Sequence, residues 1–168
     1  MKLYFSGFSL DNEQKLFDEY SIQSDFVIAG FSFGAIQALE YALETSKRVD
    51  TLQLFSPAYF NDKNEKFKRL QLLYFQKNPN LYCDNFLKSA GFEEGIESRY
   101  FSLGSYEELH TLLYYEWSAK KLEQLVEKNI NIEVYLGAAD KIVNASAALE
   151  FFREYSEVYY SKNKGHRV

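Results

Sequence analysis

The segment that most constrains the fold is Gly30-Phe31-Ser32-Phe33-Gly34. It follows Phe26-Val27-Ile28-Ala29, a continuous apolar run typical of a strand buried on both faces. It precedes a run from Ala35 to about Thr45 in which apolar residues recur at helical spacing. A strand that passes directly into a helix turns sharply, and glycines let the backbone approach its neighbours where no Cβ fits. The chain is therefore predicted to fold around a strand–turn–helix unit.

Short apolar runs alternate with helical patterns along the rest of the chain. This alternation is typical of an α/β fold with a mostly parallel sheet. With 168 residues, the chain is expected to form one domain, 1–168. Four further strands, which bring the total to about five, are predicted at residues 3–6, 52–55, 132–136 and 158–160. Asp11 is predicted to cap a helix that runs to about Tyr20, with Gln14 completing a capping box, and Asn144 to cap a later helix.

Residues 58–131 separate the third and fourth strands, and a plain crossover helix needs far fewer residues. This helical and aromatic segment is predicted to be a lid, with padding of the sheet as the alternative. If the five strands are adjacent in chain order, right-handed crossovers place every connecting helix on the same face. The other face would then need cover from this insertion or from a second subunit, so a homodimer is one of the two expectations.

Composition excludes several classes of function. The net charge of −5 gives no general electrostatic reason to bind nucleic acid or an anionic membrane. The apolar run at the start is too short for a signal peptide, and no run approaches the roughly 18 residues of a membrane span. The single cysteine, Cys83, excludes an intramolecular disulfide, and CxxC-type metal motifs are absent from the sequence. The chain is expected to be cytoplasmic and to use neither a metal nor a cofactor.

Three residues point to nucleophilic chemistry. The strand–turn–helix context of Ser32 is that of a nucleophile elbow, which exposes a hydroxyl at the carboxyl edge of the sheet. A serine needs a base, and His166 follows the last predicted strand, whereas His110 falls in the insertion and is expected to be solvated. Asp140 follows the fourth strand and is predicted to orient His166. The order Ser, Asp, His is that of α/β-hydrolase triads.

An oxyanion that forms on an acyl substrate needs two hydrogen-bond donors. One is expected from the N–H of Phe33, the residue after Ser32. The other is expected from the loop after the first strand, at Gly7 or Phe8, although a plain strand–helix turn would look the same in sequence.

With these residues, the chain resembles a short α/β-hydrolase, and more narrowly the short pimeloyl-ACP methyl ester esterases of biotin synthesis. The resemblance extends over nearly the whole chain and lies in Phe5-Ser6-Gly7-Phe8, Gly30–Ile36, Leu54-Phe55-Ser56-Pro57, 67–72, 75–79, 84–86 and Ile132–Gly137 with Asp140. It implies a reduced α/β-hydrolase fold and hydrolysis of the methyl ester of a pimeloyl chain on acyl carrier protein, giving methanol. The family's Ser, Asp and His correspond to Ser32, Asp140 and His166. The chain departs from the usual fold in having about five strands rather than eight.

The 67–86 stretch carries the narrower resemblance. Its residues Phe67, Leu70, Tyr74 and Phe75 fall on one helical stripe and are predicted to enclose the acyl chain, with a purely structural core as the alternative.

Residues 62–77 hold five cationic side chains against two acidic ones in an acidic chain. The residues predicted to dock the carrier protein flank or oppose the apolar stripe and are Lys66, Lys68, Arg69 and Lys77. A basic island attracts an acidic partner locally, although it is also what an ordinary solvated helix face looks like.

Two other functions stay open at this point. One is a small-molecule esterase or thioesterase that needs no carrier protein, and the other is an inactive binding relative that retains the fold. The sequence leaves open whether the bond is a methyl ester, another ester or a thioester.

Overall fold

Five strands form a single parallel sheet in a computed structural model that describes residues 3–92 and 98–168. The strands lie side by side in chain order and are β1 (Leu3–Phe5), β2 (Val27–Phe31), β3 (Thr51–Phe55), β4 (Asn131–Gly137) and β5 (Glu157–Ser161). The register pairs Phe31 with Phe55 and Phe55 with Tyr135. The carboxyl ends of neighbouring strands therefore meet at one edge, and the predicted five-strand parallel sheet is confirmed.

The helices of the described residues are α1 (Phe33–Glu44), α2 (Glu65–Lys77), α3 (Pro79–Ser89), α4 (Tyr106–Tyr114), α5 (Ala119–Glu127) and α6 (Ala145–Phe152). Helices α1, α5 and α6 bury Leu39, Leu122 and Phe152 in the same core as Leu52 and Val134 of the sheet. The three helices thus cover one face, as expected for parallel strands adjacent in chain order. Asn144 caps α6 as predicted, because its side chain accepts a hydrogen bond from the Ala147 N–H at 3.2 Å.

The second face of the sheet is covered by the chain itself. Phe17, at the end of a 3₁₀ helix at Glu13–Phe17, packs on Phe31 and Phe55 with both ring centroids 4.8 Å away. Residues from the insertion, Leu87 and Phe92 among them, join the same cluster. The insertion therefore supplies part of the cover, and a homodimer stays a prediction.

The helix predicted from Asp11 to about Tyr20 is wrong in type and length. Only the five-residue 3₁₀ helix forms there, Asn12 before it has a left-handed φ of 60°, and no side chain caps it. Asp11 and Gln14 are exposed and make no capping box, whereas Glu13 turns into the interior. The buried Glu13 side chain, rather than local helix propensity, decides the conformation of this segment.

The insertion, residues 58–131, has two parts. Helix α5 packs beside α1 against β4 and is the crossover between β3 and β4. Helices α2, α3 and α4 pack together and reach the loop after β1, where Phe8 contacts Phe75 and Phe86. The lid role predicted for 58–131 thus concerns α2–α4, and it stays a prediction.

Hydrogen bonds join the chain segments that precede α2 and follow α4. The Asn61 side chain donates to the Trp117 carbonyl at 2.9 Å and accepts from the Trp117 N–H at 3.1 Å. The Trp117 indole donates to the Ala58 carbonyl at 2.9 Å. These bonds join the two ends of the segment that holds α2–α4. Among the described residues, no helix is long and apolar enough to cross a membrane.

Candidate active site

Ser32 lies at the turn between β2 and α1, with φ 53° and ψ −111°. Such a backbone is strained for a residue with a side chain and persists only where its surroundings hold it. The Ser32 N–H donates to the Phe55 carbonyl at 2.9 Å, which ties the turn to β3. A Cβ on Gly30 would overlap the Gly34 carbonyl, and a Cβ on Gly34 would overlap the Phe5 carbonyl oxygen. The two glycines are therefore required by the close approach of the turn to its own backbone and to β1.

Asp140 and His166 reach Ser32 from the ends of β4 and β5. The Ala138 N–H donates to the Ser161 carbonyl at 2.8 Å and the Ala139 N–H to the Lys164 carbonyl at 2.9 Å, which joins the loops after the two strands. His166 then lies with Nδ1 2.7 Å from Asp140 Oδ2 and Nε2 2.8 Å from Ser32 Oγ. The structure thus brings together the three residues that the sequence predicted.

Asp140 is fixed by its other oxygen. Its Oδ1 accepts hydrogen bonds from the backbone N–H groups of Ile142 and Val143 at 2.7 and 3.0 Å. The carboxylate side of His166 is therefore an acceptor, which places the proton on Nδ1 and leaves Nε2 free to accept from the Ser32 hydroxyl. The side chains of Asp140 and His166 are fully buried, and Ser32 is 1% exposed. With water excluded, these charge-assisted bonds are stronger than they would be in solvent.

His110 takes no part in this arrangement. It is exposed on α4 and stacks on Tyr114 with ring centroids 4.5 Å apart. This agrees with the expectation that it is a solvated helical histidine.

The donors expected for an oxyanion are Phe33, Gly7 and Phe8. Phe33 is the first residue of α1, where backbone N–H groups have no partner within the helix. The Gly7 N–H instead donates to the Glu13 carboxylate at 2.8 Å, so the expectation that Gly7 could supply a donor is corrected. The Phe8 N–H remains the candidate from this loop. Glu13 was missed because an isolated glutamate beside an expected helix start has no sequence signal that predicts burial.

A cavity of about 700 Å³ lies between α2, α3 and the loops after β3 and β4. Its lining includes Ile142, whose N–H donates a hydrogen bond to Asp140 Oδ1. It also includes Phe86, whose ring centroid is 5.2 Å from that of Phe8. The cavity therefore extends to residues that directly contact the Asp140 and oxyanion-loop side of the site.

The four residues predicted to enclose an acyl chain fall in three environments. Phe67 and Tyr74 line the cavity. Leu70 is 39% exposed, and Phe75 is buried in the core against Phe8. Neither residue lines this cavity, and the acyl-chain role of the four residues stays a prediction. Since successive helical residues are about 100° apart, the four residues, spaced i, i+3, i+7 and i+8, spread over about 140° of the helix surface, and the edges of the stripe meet different neighbours.

The four basic residues predicted to dock a carrier protein also differ. Lys66 and Arg69 are exposed on α2. Lys77 is exposed and lines the cavity, whereas Lys68 is partly buried with its ammonium 5.2 Å from the centre of the Tyr114 ring. Lys66 and Arg69 are thus the two that present their charge to solvent away from the cavity.

Within the described residues, no group of three or more acidic, His or Cys side chains could hold a metal ion.

Comparison with solved structures identifies the fold. BioG from Haemophilus influenzae aligns over 99% of this chain and 88% of its own, with 15% identity and a TM-score of 0.60. The alignment with the hydrolase olei00960 from Oleispira antarctica covers 99% of this chain and 84% of that protein, with 12% identity and a TM-score of 0.72. The alignment with MenH from S. aureus covers 98% of this chain and 85% of that protein, with 16% identity and a TM-score of 0.58. No protein-family model and no curated protein matches the sequence. The chain has a reduced α/β-hydrolase fold.

Proposed function

We propose that this chain is a carboxylic ester hydrolase with Ser32 as nucleophile, His166 as general base and Asp140 as the residue that orients the base. The observation that carries the proposal is the unbroken hydrogen-bond chain from Ser32 Oγ through His166 to Asp140, with links of 2.8 and 2.7 Å. A serine hydroxyl becomes an effective nucleophile when an adjacent base accepts its proton. The backbone strain at Ser32 supports the same role, since such strain clusters at functional sites.

In the proposed reaction, Ser32 Oγ attacks the ester carbonyl carbon while its proton passes to His166 Nε2. The carbonyl oxygen becomes negative and is stabilised by the N–H groups of Phe33 and Phe8. His166 then gives the proton to the leaving oxygen, which departs as an alcohol, and the acyl group stays on Ser32. Water, deprotonated by His166, attacks the acyl-enzyme in the same way, releasing the acid and restoring Ser32.

The proposed substrate is the methyl ester of a pimeloyl chain on acyl carrier protein, which gives pimeloyl-ACP and methanol, a reaction of biotin synthesis. Two observations support this choice. The sequence resembles the short esterases of this type, and BioG from Haemophilus influenzae is among the solved structures that share the fold. The cavity of about 700 Å³, lined in part by Phe67 and Tyr74, has the size and apolar character of a ligand site.

The carrier protein is proposed to dock on α2 near Lys66 and Arg69. Both side chains are exposed, and the whole chain carries a net charge of −5, so this surface differs in sign from the average of the molecule. Local attraction with general repulsion favours one orientation of an acidic partner.

Mass spectrometry of the acyl chain on methyl-pimeloyl-ACP tests the reaction. We expect the wild-type protein to lower the mass of the acyl chain by about 14 Da, the mass of one CH₂, because the methyl ester becomes an acid. Ser32→Ala is expected to leave the substrate intact, and Ser46→Ala, at an exposed serine of the same chain, is the matched control. Hydrolysis by Ser32→Ala at the wild-type rate would contradict the role of Ser32. Cleavage of free esters alone would favour a small-molecule esterase, cleavage of the carrier thioester would favour a thioesterase, and no cleavage would favour a binding relative.

Charge reversal tests the docking surface. Lys66→Glu with Arg69→Glu is expected to lower kcat/KM for the carrier-linked ester, more so at low salt, and to leave hydrolysis of a small free ester unchanged. Lys47→Glu with Lys120→Glu makes the same change of charge at two exposed positions elsewhere on the chain. Equal effects of the two pairs would show that only net charge matters, which would contradict docking on α2.

A further inference from the structure

Glu13 is a buried carboxylate whose role the proposed reaction leaves unexplained. Its residue exposure is 0%. One oxygen, Oε1, accepts from the Gly7 N–H at 2.8 Å and from the Tyr4 hydroxyl at 2.9 Å. The other, Oε2, is buried and has no hydrogen-bond partner within the described residues. Burying a carboxylate with one oxygen unsatisfied is costly, so stability alone gives a poor account of this residue.

The hydrogen bond from the Gly7 N–H to Glu13 fixes the Ser6–Gly7 peptide, on one side of the Gly7 Cα. The peptide on its other side is fixed as well, because the Gly7 carbonyl accepts from the Leu10 N–H at 3.1 Å. In a trans peptide the N–H points opposite to the carbonyl, so this second peptide aims the Phe8 N–H away from Leu10. A glycine permits many backbone angles, and two anchored peptides remove that freedom at Gly7.

The rest of the loop is held by other contacts. The Asp11 N–H donates to the Tyr100 carbonyl at 2.8 Å, and the Ser102 N–H donates to the Ser9 carbonyl at 3.0 Å. Ser9 has a left-handed φ of 61°, a conformation that these contacts maintain. The 100–104 segment therefore anchors the second half of the loop. In the first half, Glu13 holds the Ser6–Gly7 peptide and the Leu10 N–H holds the Gly7–Phe8 peptide.

We propose that Glu13 is a positioning residue. By holding the Ser6–Gly7 peptide, it limits rotation at Gly7 and keeps the Phe8 N–H aimed at the developing oxyanion. This inference rests on the proposed esterase function. Oxyanion donors act by being oriented before the reaction, so a loosened Gly7 peptide lowers the rate of the chemical step more than it weakens substrate binding. Burial, together with the neighbouring Glu13 carboxylate, raises the pKa of the Tyr4 hydroxyl, which therefore remains a donor to Glu13 across the working pH range.

Two substitutions of the same length separate positioning from packing. Glu13→Gln keeps an oxygen that can accept from Gly7, whereas Glu13→Met fills similar space without a strong acceptor. Tyr4→Phe is the matched control, because it removes the other hydrogen bond to the same Oε1 and leaves the Gly7 bond in place. The readouts are kcat and KM for a p-nitrophenyl ester, inhibition by an alkyl boronic acid that forms a tetrahedral adduct with serine, and the melting temperature.

We expect Glu13→Met to lower kcat by about 10–100-fold with KM within about threefold, and to weaken boronic acid inhibition in parallel. Glu13→Gln and Tyr4→Phe are expected to keep kcat within about threefold, even where their melting temperatures fall. Wild-type kcat in Glu13→Met, or an equal loss of kcat in Glu13→Met and Tyr4→Phe, would overturn the inference. Should Glu13→Met fail to fold, the double variant with Tyr4→Phe removes the unpaired hydroxyl and carries the same expectation. Absence of wild-type activity on any ester would instead contradict the proposed function.

Discussion

Asp140→Asn is the substitution whose effect follows most directly from the site geometry. Oδ1 of Asp140 accepts from the Ile142 and Val143 N–H groups, and only an oxygen can take that position. The asparagine carbonyl is therefore fixed at Oδ1, and its NH₂ faces His166 Nδ1 in the place of Oδ2, 2.7 Å away. An NH₂ there donates, so Nδ1 must accept and the proton moves to Nε2. A protonated Nε2 cannot take the proton of Ser32.

The expected loss in kcat is about 10⁴-fold, the size of effect that the wrong histidine tautomer has in serine hydrolases, or about 5.5 kcal/mol of transition-state free energy. The fold is expected to tolerate the change, because the two backbone bonds and the bond to His166 each keep one donor and one acceptor. The melting temperature should stay within about 4 °C of wild type, the shift that about 1 kcal/mol produces in a domain of this size.

Hydrolysis of a p-nitrophenyl ester, normalised to folded protein, measures the effect, with thermal denaturation run on the same samples. Asp11→Asn, which makes the same chemical change at an exposed position, is the control and should retain wild-type kcat. If Asp140→Asn keeps more than about a tenth of wild-type kcat, the tautomer argument is refuted. If activity falls only in step with a large loss of stability, Asp140 is a structural residue.

Three further predictions concern single side chains. His110→Ala should keep kcat within about twofold, whereas His166→Ala should lose at least about 10³-fold, and steady-state hydrolysis of a free ester distinguishes them. Gly34→Ala should not yield a folded protein, because its Cβ would overlap the Phe5 carbonyl oxygen, and a cooperative melting transition in this variant would contradict that reasoning. Tyr74→Ala, at a side chain 53% exposed beside the cavity, should change the preferred acyl-chain length with little loss of stability, whereas Phe75→Ala, in the core, should lower the free energy of unfolding by about 3–5 kcal/mol. A series of esters and denaturant unfolding measure these two effects.

The strands and the grouping of Ser32, Asp140 and His166 could be predicted, because they depend on local sequence patterns and on a general rule of sheet topology. A continuous apolar run such as 26–29 is buried wherever the sheet lies, and the turn at Ser32 needs glycines because of its own geometry. Parallel strands end at one edge, so residues that follow β2, β4 and β5 converge although 134 positions separate Ser32 from His166 in the chain.

The periodicity of α2 predicted a helix and an apolar stripe, but not which neighbour each residue of the stripe meets. Phe67 and Tyr74 line the cavity, Phe75 enters the core and Leu70 reaches solvent. The difference arises from the placement of α3 and α4 against α2, which the sequence of α2 does not contain.

Glu13 shows the same division most clearly. By sequence it belongs to the start of a capped helix, and by structure it is buried with its Oε1 on the Gly7 N–H. The sequence by itself determined the strand–turn–helix unit, the parallel sheet and the three residues at its edge, because short-range sterics and chain connectivity decide them. The tertiary structure alone decided the burial of Glu13, the cover of the second face and the shape of the cavity, because these depend on how distant segments pack against one another.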